Sequence, residues 1–222
     1  MSSNSNVIVC SFYTADDYYR AHGERLAKNL ESLGVEYVLR EIEKQEGEDW
    51  ADICRKKVGF IADVCAANPD KKVFWIDVDC EMFSLPDFIL KSTADIIGFQ
   101  RGFSTPTNIG YEKRGRFWEP CFWGINTTVQ ARRMVAEAAA FEAIAAVKAT
   151  DDFFFEEAWR ANSSNMTFQV IPSNCAVDKG SGNLESHEVF FRFGSSGQVA
   201  NFKQKVQQHK GNTTKKKISP KR

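Results

Sequence analysis

Residues 72–83 read Lys72-Val73-Phe74-Trp75-Ile76-Asp77-Val78-Asp79-Cys80-Glu81-Met82-Phe83, an apolar and aromatic segment that runs straight into two carboxylates one residue apart. So short an apolar run, preceded by the turn signal Asn68-Pro69-Asp70, predicts a buried strand over 73–78. Side chains alternate between the faces of a strand, so Asp77 and Asp79 are expected on one side at its carboxyl end. Two hard oxygen ligands suit Mg²⁺ or Mn²⁺, which keep open positions for a substrate's phosphates. A D-x-D triplet also occurs as an ordinary turn or a solvated strand end; its place after an apolar strand is what favours a metal site.

The segments before this strand set its context. Residues 7–13 (VIVCSFY) are too short for a helix and predict a buried strand. Capping chemistry at Thr14-Ala15-Asp16-Asp17 starts a helix over 17–33, with Ala21, Leu26, Ala27, Leu30 and Leu33 at helical spacing and Gly34 as its stop. A second strand follows over 35–42. A second helix over 49–67 turns Ile53, Val58, Ile61, Ala62 and Val64 inward. Strand, helix, strand, helix, strand is the pattern of a parallel sheet covered on both faces, in which ligands collect at the carboxyl ends of strands.

The second half is less regular. It predicts a strand over 94–99, a polar Gly/Pro/Thr loop over 102–115 and an aromatic segment over 117–126. An Ala-rich helix over 130–149 follows, burying Met134, Ala138, Phe141, Ala145 and Val147, and then a helix over 152–161. Short strands over 167–171 and 189–193 flank a loop rich in Pro, Asn, Gly and Ser. The expected domain organisation is one α/β domain over 1–203 and a basic, solvated tail over 204–222.

The chain has 222 residues, 43% hydrophobic and 13% aromatic with 18 Phe, enough for one real core and incompatible with disorder or fibrous folds. Formal charge is zero, but residues 210–222 hold six cations and no acid, so the remainder carries −6. A net acidic body argues against nucleic acid as the main partner. No run approaches the roughly 18 apolar residues of a membrane span and the N-terminus lacks a basic, apolar leader, so a soluble cytoplasmic protein is expected. The cysteines Cys10, Cys54, Cys65, Cys80, Cys121 and Cys175 are scattered without a C-x-x-C pair, as in a protein with reduced, buried thiols.

With a first strand ending in Phe12-Tyr13-Thr14, an alternating half of about 75 residues and then FWIDVDCEMF, residues 7–200 resemble glycosyltransferases of the GT-A fold. In that family a D-x-D triplet holds a divalent cation against the diphosphate of a nucleotide-sugar donor. Small members without a membrane anchor also occur as domains of larger proteins, in bacteria and in large viruses of algae. The resemblance implies a single Rossmann-like domain with a mostly parallel central sheet and a small antiparallel element. It implies a uridine-linked sugar donor, a glycan or other hydroxyl acceptor, and Mn²⁺ or Mg²⁺ held by Asp77 and Asp79, with His187 as a further ligand. Asp79 is the firmer ligand; Asp77 alternatively bonds the ribose or a bound water.

Further roles follow from the same resemblance. Phe12, Tyr13 and Thr14 would stack on the base and contact its polar edge, although strand alternation equally places Phe12 in the core. Arg55, beside Lys56 and Lys57, would reach the base or phosphates or else belong to a surface charge run. Val78 lies within the triplet. Gly124 and Asn126, in Phe122-Trp123-Gly124-Ile125-Asn126-Thr127, match a strand near the sugar, and Arg192 with the turn Gly194-Ser195-Ser196-Gly197 would close over the diphosphate. Asp151 or Asp152 would be the general base on an acceptor hydroxyl, or the cap of the helix near Phe153. Trp118, Trp123, Gln100 and Arg101 would line a sugar groove, with core packing the alternative for Trp123.

Two enzyme classes and one non-enzyme compete. Haloacid-dehalogenase-like phosphatases also end a strand in D-x-D, but normally open with that strand and favour Thr or Val where this chain has Glu81. Nucleotidyltransferases usually carry a Gly-rich loop and a Lys after the first strand, absent from Ser11-Phe12-Tyr13-Thr14-Ala15. A catalytically silent sugar-binding or nucleotide-binding module would keep the fold without metal chemistry.

Overall fold

A computed structural model describes residues 6–100, 118–177 and 189–194. In chain order the elements are β1 (Val7–Thr14), α1 (Asp17–Ser32), β2 (Glu36–Ile42), α2 (Trp50–Ala67), β3 (Lys72–Ile76), β4 (Glu81–Met82), α3 (Asp87–Leu90) and β5 (Ile96–Gln100). They continue with β6 (Trp118–Ile125), α4 (Val129–Ile144), α5 (Asp151–Asn162), β7 (Phe168–Ile171), β8 (Ala176–Val177) and β9 (Phe191–Arg192). The result is an α/β fold. A six-stranded sheet of order β2-β1-β3-β6-β5-β7 is flanked by helices, and a small separate sheet has the order β4-β9-β8. In the large sheet β6 alone runs against its neighbours β3 and β5, and the other pairings are parallel.

Alternation along the central strands builds two cores. Ile8, Cys10 and Phe12 of β1 and Val73 and Trp75 of β3 face α2, α4 and α5, while Val7, Val9, Phe74 and Ile76 face α1 and the small sheet. A strand buried on both faces has no polar positions, which is why 73–76 reads as a continuous apolar run. Each large side chain fully buried here contributes about 1.5–3 kcal/mol.

The helices begin where capping chemistry lies. Asp16 accepts from Tyr19 N at 3.0 Å, Asp49 and Asp52 form a reciprocal capping box on α2, and Thr128 caps α4. Three expectations change. His22 and Gly23 are buried on α1 while Ala21 is exposed, because the helix leans its N-terminal half on β1 and on the turn after β3. Helix α4 stops at Ile144 instead of 149, leaving Phe141 and Val147 partly exposed, since Arg55 of α2 takes up the last carbonyls of the helix. The strand predicted over 73–78 stops at Ile76. The expected division at 203/204 and the loop over 102–115 lie outside the described residues.

Candidate active site

Strand β3 ends at Ile76, while its partner β6 runs on to Trp118. Asp77 N donates to Cys121 O at 2.8 Å as the last rung against β6, and the chain then folds back through a turn in which Cys80 N donates to Asp77 O at 2.9 Å. Asp77 and Asp79 therefore lie on a turn at the carboxyl end of β3, not on one face of a strand as alternation predicts. Val78 between them is buried in the core on the α1 side.

The ammonium of Lys57, on α2, lies 2.7 Å from Asp77 Oδ1 and 3.7 Å from Asp151 Oδ2, and 4.9 Å above the Trp75 ring. Trp75 Nε1 donates to the same Asp77 oxygen at 2.9 Å. The Lys57 side chain is 13% exposed, that of Asp151 7% and that of Asp77 31%. Burial alone would lower the Lys57 pKa, but the carboxylates of Asp151 and Asp77 outweigh it and hold the ammonium well above its usual range. Asp151 and Asp152 form the first turn of α5, where the helix dipole favours negative charge, and Thr150 Oγ1 donates to Asp152 Oδ1. The sequence-derived pair of Asp77 and Asp151 is thus joined by a cation that reads in the sequence as part of a surface charge run.

Asp79 is approached from two sides. Arg25 of α1 donates to the Asp79 carbonyl at 3.1 Å, and its guanidinium lies 2.9 Å from His22 Nδ1. Asn29 anchors the chain beyond the turn by bonding Met82 O at 2.7 Å and accepting from Met82 N at 3.0 Å. From the small sheet comes Gly194, where a Cβ would stand 2.2 Å from the Asp79 carboxyl carbon, so only glycine lets the backbone come this close. Arg192 donates to Glu81 at 2.9 Å and lies over the Phe83 ring, and its Nε has no hydrogen-bond partner among the described residues.

The other predicted residues separate. Phe12 is core, edge-on to Phe60 and Trp75 at 5.5 and 5.6 Å, although it also lines a cleft of about 660 Å³ between α2 and the β1 and β2 strands. Tyr13 packs over Gly23, and Thr14 bonds Asp16 at 2.6 Å. Arg55 lines the same cleft, but its guanidinium pairs with Glu142 and donates to the Glu142, Ala145 and Val147 carbonyls, closing α4. Trp118 and Trp123 pack in the core, against Phe168 and Phe155, instead of lining a groove.

Gly124 and Asn126 are carried away from the site. Because β6 is antiparallel to β3, Phe122 stands opposite Ile76 while Gly124 and Ile125 stand opposite Phe74 and Val73, toward the far end. Asn126 there donates to the Ala94 carbonyl at 2.8 Å, and Gly124 is required because a Cβ would meet the Phe74 ring at 2.2 Å. His187, Arg101 and Ser195 to Gly197 lie outside the described residues. Sequence reasoning missed Arg25 and named Lys57 only as a neighbour of Arg55. The signal for Lys57 was its place one turn beyond Ile53 on a helix whose carboxyl neighbour is the D-x-D strand.

Among the described residues no three His, Cys, Asp or Glu side chains gather to hold a metal. The donor set of the turn is its two carboxylates, which suits Mg²⁺-type binding through one or two carboxylates, water and substrate phosphates, and does not suit a closed all-protein cage. No protein-family model and no curated protein sequence matches the chain. Among solved structures it is similar to a glycosyltransferase involved in the glycosylation of the major capsid of PBCV-1, at 11% identity, with 92% of this chain and 98% of that chain covered and a TM-score of 0.56. That likeness is one of fold. No described helix is long and apolar enough to cross a membrane.

Proposed function

We propose that this chain is a divalent-cation-dependent glycosyltransferase that moves a sugar from a nucleotide donor, of the UDP-sugar class, to a hydroxyl of a glycan or other acceptor. The observation that carries the reading is the Asp77-Val78-Asp79 turn at the carboxyl end of β3, facing Asp151 across the Lys57 ammonium. The fold shared with a glycosyltransferase supports it. Asp79, with Asp77, would hold Mn²⁺ or Mg²⁺, which supplies Lewis-acid stabilisation of charge on the departing diphosphate. His187 is the further ligand proposed from the family pattern.

In the transfer the anomeric carbon's bond to the diphosphate oxygen breaks and a bond to the acceptor oxygen forms, while the acceptor proton passes to a carboxylate. Asp151, or Asp152 beside it, is the proposed proton acceptor. Lys57 holds Asp77 and Asp151 at a fixed separation, which orients the carboxylates without reorganisation during the reaction. Tyr13 and Thr14 end β1, three and four residues beyond its last pair with β3 at Cys10 and Trp75. They are the proposed base contacts, with Phe12 and Arg55 bordering the cleft next to them. Arg192, one strand away from Asp79, is the proposed diphosphate contact.

Calorimetric titration of UDP, GDP and a UDP-sugar with Mn²⁺ and with EDTA tests the reading. UDP binding that requires the metal is expected, and Asp79→Asn should weaken it by about 100-fold or more while melting stays nearly unchanged, as for a rim carboxylate. Equal nucleotide affinity with and without metal, or phosphate release with no nucleotide-sugar requirement, would overturn it.

A further inference from the structure

Strand β2 pairs with β1 along all seven of its residues, and its outer side pairs with no described strand. Natural sheets blunt such an edge with a proline, a lysine or a bulge. Residues 36–42 have no proline and no lysine, and their register against β1 is unbroken. Tyr37, Val38 and Leu39 are half-buried and stand between an exposed Glu36 and an exposed Arg40. Arg40 has no carboxylate partner among the described residues; its guanidinium lies 4.9 Å over the Phe60 ring. An acid, three apolar residues and a base in that order are complementary to a second copy running the other way.

Symmetry limits the register. A two-fold axis that continues a sheet stands perpendicular to it, so paired residues share a face and their numbers sum to an even value. An axis at Tyr37 sets Glu36 against Val38, and one at Leu39 sets Arg40 against Val38 and Glu41 against Tyr37. The axis at Val38 sets Glu36 of each copy against Arg40 of the other, with Tyr37 against Leu39 and Val38 against itself. Helix α1 packs over β1 and β2, so this axis brings the two α1 helices to about 10 Å, an ordinary helix–helix spacing. Helix α2 packs on β1 and β3 instead, which keeps the other face free of overlap.

We propose that β2 is the interface of a homodimer, in which two copies of this chain pair antiparallel about Val38 into one continuous sheet. Main-chain hydrogen bonds and the apolar centre supply the affinity, and the two Glu36–Arg40 pairs select the register. The interface lies two strands away from β3. It holds whether or not the turn after β3 binds a nucleotide.

Sedimentation equilibrium of the intact chain tests it and should show a reversible species of twice 25.1 kDa. Glu36→Arg or Arg40→Glu sets like charges against each other at both symmetric positions and should raise the dimer dissociation constant about tenfold or more. The double reversal, Glu36→Arg with Arg40→Glu, should bring it back to the wild-type value. The register is read separately by mild oxidation and peptide mapping. Val38→Cys should yield a dimer cross-linked through position 38 and reversed by dithiothreitol, whereas Tyr37→Cys and Leu39→Cys should yield none through positions 37 or 39. A wild-type chain that stays monomeric at its highest soluble concentration, single reversals without effect, a double reversal as weak as the single ones, or a cross-link through 37 or 39 in place of 38 overturns the proposal.

Discussion

The two ends of the central sheet handle buried carboxylates in opposite ways. At the amino end of β5, Asp95 is enclosed by neutral donors: Thr128 Oγ1 at 2.5 Å, Thr167 N at 2.7 Å and Thr167 Oγ1 at 2.9 Å, with Asn126 tying the neighbouring carbonyls together. At the carboxyl end of β3, Asp77 and Asp151 come from different elements and meet at one ammonium. Uncharged donors fix a carboxylate for good, whereas a shared lysine holds two acids near each other with acceptor capacity to spare. On the proposed function the amino end serves stability and the carboxyl end chemistry, and substitutions at each end should separate along that line.

The largest effect belongs to Lys57→Met, which preserves the stem's contact with Trp75 but leaves two carboxylates facing each other. Breaking a buried pair by removing one partner costs about 3 kcal/mol, read by urea denaturation at pH 7. The raised Lys57 pKa means its contribution is complete below the unfolded lysine value of roughly 10.4 and fades as the pH climbs through the folded value. A Lys57→Met variant as stable as wild type at pH 7 would remove the lysine from the site.

At the amino end, Gly124→Ala drives a methyl into the Phe74 ring between packed strands and should cost about 1–3 kcal/mol or more. Asp95→Asn should cost about 2 kcal/mol, in the range for hydrogen bonds to a charged group. Burial raises the Asp95 pKa, but the Thr128 and Thr167 donors win and lower it. Its contribution is therefore present above the unfolded aspartate value of about 3.9 and lost as the pH falls through the depressed value, so acid unfolding of Asp95→Asn should lack that increment. For both variants, UDP affinity per folded molecule, measured by calorimetry, should match wild type. A selective loss of binding would erase the division between the ends.

That division was only half legible in the sequence. The alternating first half, from β1 through α2 to β3, follows from apolar period and capping residues, and its boundaries shift by one or two positions at most in each element. Strand direction has no such signature. Nothing in Phe122-Trp123-Gly124-Ile125-Asn126 distinguishes a parallel from an antiparallel strand, so the reversal of β6 moved Gly124 and Asn126 from the expected sugar site to the opposite end. Asp77, Asp79 and Asp151 were legible because carboxylates after an apolar strand or before a helix are conspicuous. Lys57 was not, because in Arg55-Lys56-Lys57 only the helix phase decides which cation turns inward. Arg55 closes a helix, Lys56 pairs with Glu48, and Lys57 alone reaches the turn.

The smallest effect on stability, together with a clear effect on function, should come from Gly194→Ala. Its Cβ would overlap the Asp79 carboxylate at 2.2–2.3 Å, as closely as the Gly124 methyl would overlap Phe74. The obstacle differs in kind. Phe74 is a ring locked between strands and sheet neighbours, whereas a carboxylate at the end of a half-buried side chain can rotate away. Gly194→Ala should therefore cost well under about 1 kcal/mol in chemical denaturation, within the range of ordinary surface substitutions. The same rotation takes Asp79 from the orientation it holds beside Asp77. A displacement of this size at the carboxylate proposed to hold the metal should weaken Mn²⁺-dependent UDP binding about tenfold or more. Unchanged melting with weakened metal-dependent binding is the expected pair of results. Full binding by this variant would mean that the orientation of Asp79 is not what the turn is built to hold.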